Sequence, residues 1–142
     1  MKQIIKLISV ITLLATSICN AASPEEEAKF LASVRAAISD KNKEAYMALH
    51  CLDRVTDEQK ASVARDAEFL FSKTFQVFEI RDLDPSRPKE LTRDGVRYSP
   101  NLESTKMLYM EYTSELNTKA KIQKNIGEKD GKMMLVILVP KS

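Results

Sequence analysis

The chain is poor in the residues most chemistry needs: one histidine, two cysteines, three glycines and no tryptophan among 142 residues. Each scarcity excludes something. A zinc site wants several imidazoles or thiolates, and His50 and Cys51 are too few to supply them. A phosphate-cradling loop needs clustered glycines, whereas Gly95, Gly127 and Gly131 lie apart. A Ser-His-Asp triad would have to use His50, and no nucleophile elbow is present. No catalytic motif, metal site or cofactor site is therefore expected.

An excess of one charge is lacking as well, once the front of the chain is set aside. Lys2 and Lys6 precede the uncharged run Leu7 to Ile18, and small residues follow at Asn20-Ala21-Ala22. That order is the layout of a secretory signal peptide. The apolar run is shorter than the about 20 residues that span a bilayer, so no stable transmembrane anchor is expected. Residues 1–22 are read as the signal and 23–142 as one α+β domain, exported to the periplasm or secreted. Cys19 offers a lipoprotein as the alternative, although Ile18 stands where a small residue is usual.

Cleavage removes two of the 22 lysines and arginines and leaves 20 against 20 acidic residues. A neutral domain gives no electrostatic case for nucleic acid, whose binding depends on neutralised phosphates. Cleavage also leaves Cys51 alone, without an intrachain disulfide partner. Its place in an apolar pattern predicts a buried small hydrophobe.

What is present is a set of well-marked elements. Ser23, Pro24 and Glu26 form a helix start with capping-box spacing, and Phe30, Leu31, Val34, Ala37 and Ile38 make one stripe. Ser39 to Asn42 breaks the period, and Asn42 can cap a short second helix bearing Tyr46 and Leu49. Thr56 and Gln59 open a third helix that runs to about Lys73, with Val63, Ala67, Leu70 and Phe71 on its apolar face. Phe75 to Ile80 reads as a strand whose apolar parity switches at Val77 and Phe78, which indicates a bulge or burial on both faces.

Residues 81–104 carry Pro85, Pro88 and Pro100, with a turn pair at Asp94-Gly95. They read either as a small hairpin or as an irregular surface loop. Thr105 to Thr113 and Thr118 to Ile126 alternate as strands with one wet face. Lys124 is the exception on the apolar side, its stem placed against the core near the rim. Asp130-Gly131 marks a hairpin turn. Met133 to Val139, apolar throughout, predicts a central strand buried on both faces. Helices followed by antiparallel strands imply N-terminal helices packed on a curved sheet.

Only His50-Cys51-Leu52-Asp53 gathers groups of chemical interest. Neighbours on a helix diverge by about 100°, so His50 and Cys51 make a poor nucleophile pair. Tyr46 and His50, four apart, can share a face, and His50 can pair with Asp53 if the helix continues. A histidine at a helix end, near the negative end of the dipole, is the plainer account. Tyr46, His50 and Asp53, with Tyr109 on the strand 105–113, are the pocket candidates. Met107, Met110, Met133 and Met134 are expected to fill core, and Lys119 and Lys121 to face water.

A capped helix ending in AISDKNKEAYMAL, a further helix, and a sheet closing with GEKDGKMMLVILVP resemble secreted proteins of the NTF2-like (cystatin-like) superfamily. That resemblance implies a cone-shaped sheet around a helix with a pocket between them. It also implies either a binding or accessory module, or an enzyme with pocket Asp and His residues. No catalytic Asp–His pair maps onto this chain. The expectation is a small exported non-enzymatic binding domain whose partner is a small molecule or an envelope protein. The alternatives are an isomerase or hydrolase using His50 or Asp53 as base and Tyr46 as donor, and an inhibitor or immunity factor docking through residues 81–104.

Overall fold

A computed structural model describes residues 22–142, so the expected signal peptide and Cys19 fall outside the described residues except for Ala22. Three helices come first: α1 (Pro24–Ser39), α2 (Lys43–Ala48) and α3 (Asp57–Phe71). Their starts are the ones the caps predict. Ser23 Oγ accepts the Glu26 N–H, and the Glu26 carboxylate accepts the Ser23 N–H in return. Thr56 and Gln59 repeat this at α3, and Asn42 Oδ1 accepts the Ala45 N–H at α2.

Seven strands follow: β1 (Phe75–Asp82), β2 (Leu91–Arg93), β3 (Val96–Pro100), β4 (Ser104–Thr113), β5 (Lys119–Lys129), β6 (Lys132–Leu135) and β7 (Leu138–Pro140). A strongly curled antiparallel sheet has the order β1-β4-β5-β6, and the helices pack on its inner face. The α+β class predicted from element order is the one observed. Val34, Tyr46, Leu70, Leu108, Met110 and Ile126 are fully enclosed between the two layers. Burial of this kind is worth about 1.5–3 kcal/mol per large side chain. Cys51 is buried, as its apolar setting predicts.

Within 81–104 the small hairpin forms over residues 91–100, while residues 83–90 are an irregular loop. Asp94 and Gly95 both take positive φ and join β2 to β3, as Asp130 and Gly131 join β5 to β6. The irregularity in β1 falls between Phe75 and Val77, slightly before the predicted parity switch.

One expectation is overturned. Met133 to Val139 is not a central strand. β6 is the edge of the four-stranded sheet, and β7 pairs with β3 in a second, three-stranded sheet ordered β2-β3-β7. Asn101 explains the break. Its Oδ1 accepts the Ile137 N–H, and its backbone N–H donates to the Ile137 carbonyl. Its Nδ2 donates to the Cys51 and Asp53 carbonyls. Val136 still donates to the Asn125 carbonyl of β5, and the buried Asn101 amide, with each of these bonds made, holds the chain off the first sheet from Ile137. Uniform hydrophobicity could not reveal a partner so distant in sequence.

Gly127 marks a close approach. An added Cβ would overlap the Glu103 carbonyl oxygen and lie 2.8 Å from Leu102 Cγ. Gly127→Ala should therefore destabilise the fold by about 2 kcal/mol, seen as a lower urea midpoint with unchanged slope. Among the described residues no helix is long and apolar enough to cross a membrane.

Candidate functional site

α2 and α3 bring four polar or aromatic groups together inside the cone. Tyr46 lies on the buried side of α2, and its hydroxyl donates to Asp66 Oδ2 on α3 at 3.1 Å. Lys124 Nζ on β5 donates to the same oxygen at 2.5 Å. The His50 ring meets the Tyr46 ring edge-on, with centroids 4.8 Å apart. His50 follows the end of α2, and its Nδ1–H donates to the Tyr46 carbonyl at 2.9 Å. That bond satisfies a last-turn carbonyl and fixes the tautomer, leaving Nε2 as an acceptor.

The electrostatics follow from burial. Removal from water lowers the His50 pKa to about 4, and the Lys124 charge adds to this while the Tyr46 carbonyl and Asp66 oppose it. The imidazole is therefore neutral at neutral pH. Burial first, and the Asp66 carboxylate second, push the Tyr46 phenol far above its ordinary range, so it remains a donor.

A hollow of about 410 Å³ opens beside this cluster. Asp66 and Val63 border it from α3, Lys124 and Asn125 from β5, Leu135 from β6, and His50 from the turn after α2. Arg87, Pro88 and Lys89 close it from the segment between β1 and β2. Arg87 Nη1 meets the Met107 sulfur at 3.3 Å, and neither Arg87 nor Lys89 forms an ion pair among the described residues, although the Arg87 charge helps to hold the Asp84 carboxyl low.

The four residues singled out from sequence are only partly brought together. Tyr46 and His50 are in contact, and His50 reaches the hollow. α2 stops at Ala48, so the helical pairing of His50 with Asp53 does not form. Asp53 is held instead by Lys129 Nζ at 2.5 Å, which lowers its carboxyl pKa. It shares with His50 only a shallow depression at the β5–β6 hairpin. Tyr109 is buried on β4 under the Arg81 guanidinium, 3.4 Å from the ring centre, and borders neither this hollow nor that depression.

Sequence reading passes over Asp66, Arg87, Lys89 and Asn101. Asp66 had a usable signal, for it stands at helical spacing between Val63 and Leu70 on the apolar face. Lys124 broke the alternation of its strand, and its amine pairs with Asp66 at the border of the hollow. Among the described residues there is no group of three histidines, cysteines or carboxylates placed to hold a metal.

No protein-family model matches the chain, and no curated protein matches it. Among solved structures it is similar to Aln2 from a Streptomyces species, at 14% identity and a TM-score of 0.38, over 84% of this chain and 91% of that one. It is also similar to a protein described as a calcium/calmodulin dependent protein kinase II association domain from Xanthomonas campestris. There the identity is 18% and the TM-score 0.35, again over 84% and 91%. Likeness at this level says nothing about ligand or activity.

Proposed function

We propose that this chain is a small exported binding domain, built as an NTF2-like cone, that holds a low-molecular-weight anion in the hollow beside α3 and β5. The observation that carries this is the charge at the hollow's border. Lys124 and Asp66 pair with each other, which leaves Arg87 and Lys89 as the excess positive charge in the hollow's lining. Val63, Leu135 and Ile137 supply apolar wall, so a bound anion would be partly shielded from water and its attraction strengthened. Export rests on the N-terminal pattern, and the intact mass of protein recovered from each cell fraction tests it.

Octanoate and octyltrimethylammonium share an alkyl chain and differ in charge, which makes them the discriminating pair. Octanoate should shift the amide resonances of Arg87, Lys89 and residues 123–125 in a titration, and the ammonium should not. Replacing both Arg87 and Lys89 by alanine should weaken octanoate roughly tenfold or more. Equal binding of the two probes, or no shift at these amides, would reject the reading.

The enzymatic alternative has one group in its favour, the Nε2 of a neutral His50 at the hollow. Its other members are occupied. The Tyr46 hydroxyl is given to Asp66, and Asp53 is paired outside the hollow with Lys129. Docking through residues 81–104 has less in its favour, because the tip of that segment is fixed as the β2–β3 hairpin and tied to β7.

A further inference from the structure

A second hollow, of about 430 Å³, abuts the first, and Arg87, Pro88, Lys89 and Asn125 border both. Its remaining walls differ in kind. Leu83, Pro85, Pro100 and Leu102 line it, and its acidic residues are Asp84, Glu90 and Glu103. Arg87 and Lys89 thus stand at the shared boundary, while every other charged residue lining the second hollow is a carboxylate. Pro85 and Pro88 stiffen the segment that separates them. A turn from the Asp84 carbonyl to the Arg87 N–H anchors it at one end, and Glu90 paired with Arg97 and Lys141 anchors it at the other.

Resting on the anion-binding reading above, we propose that the two hollows form one groove running beneath residues 87–89 and that its ligand is a single-chain anionic amphiphile. The carboxylate lies at Arg87 and Lys89, and the alkyl chain extends against Leu83, Pro100 and Leu102. Charge sets the direction. A negative head in the second hollow would meet Asp84 and Glu103, whereas an uncharged chain there buries apolar surface without repulsion. A compact anion would use only the first hollow and leave these apolar walls wet.

Chain length separates this inference from the reading beneath it. Dodecanoate, used below its micellar concentration, carries four more methylenes than octanoate. At about a factor of four per buried methylene it should bind on the order of a hundredfold more tightly. A ¹³C label on its terminal methyl should give nuclear Overhauser contacts to the side chains of Leu83 and Leu102. Pro85 is exposed, so Pro85→Asp should fold while placing a charge in the second hollow. It should weaken dodecanoate far more than octanoate and so remove most of the gain from the longer chain. Should Pro85→Asp not fold, the methyl contacts in the unaltered protein decide the matter. If octanoate binds but dodecanoate binds no better, or its methyl touches neither leucine, the groove is refuted and the anion site stands. If neither acid binds, both fall.

Discussion

Tyr46→Ala should lower the unfolding free energy by about 4 kcal/mol in a urea titration, near the top of the range for aromatic truncations in a core. Tyr46 is fully enclosed, and its ring touches His50 and Phe71 edge-on. Truncation opens a cavity where α2 and α3 meet the sheet. It also removes the phenol that donates to Asp66, leaving that carboxylate to Lys124 alone. Tyr46→Phe separates the two effects. It keeps the ring and loses one hydrogen bond to a charged acceptor, so a cost of about 2 kcal/mol is expected. A loss below about 1 kcal/mol for the alanine variant would mean that the helices do not close on the sheet through this residue.

The second large effect is with pH. His50 in the unfolded chain titrates near 6.5 and in the folded protein at about 4, because burial disfavours the imidazolium. Between those values the unfolded state binds a proton that the folded state does not. Stability is therefore complete above pH 6.5, declines as pH falls through this window, and levels off with respect to His50 below about 4. The full loss is on the order of 3 kcal/mol. His50→Gln keeps a donor for the Tyr46 carbonyl and cannot titrate, so its stability should stay flat from about pH 7 to about pH 5. Carboxylates held low by lysine or arginine, such as Asp82 and Glu90, begin their acid loss only as pH falls through the ordinary carboxylate range. The upper half of the window thus reports the imidazole. An identical slope in the variant would show that His50 is not buried neutral.

Much of the architecture could be read from local chemistry. Ser23 with Glu26 and Thr56 with Gln59 announce helix starts because the bonds they make span only three residues. Asp94-Gly95 and Asp130-Gly131 announce turns because glycine and aspartate tolerate positive φ. Alternation along residues 105–126 gives the strands because successive side chains point opposite ways, but not the burial of both faces of β4, where Met107, Leu108, Tyr109 and Met110 are all enclosed. The candidate site was legible only at Tyr46 and His50, whose spacing is that of a helix turn. Its cations lie in the stretch between β1 and β2, where prolines remove the periodicity that would have assigned them a face.

By itself, then, the residue pattern determines the helices, most of the strands and the apolar stripes that join them, since these depend on neighbours within a few positions. The tertiary structure alone decides that the Met133 to Val139 run divides between two sheets, because the amide that divides it, Asn101, comes from a distant part of the chain. It alone decides that Lys124 meets Asp66 and that Arg87 and Lys89 stand over a hollow. Those pairings are made by bending a sheet around helices, and the geometry of that bend is written in no single segment.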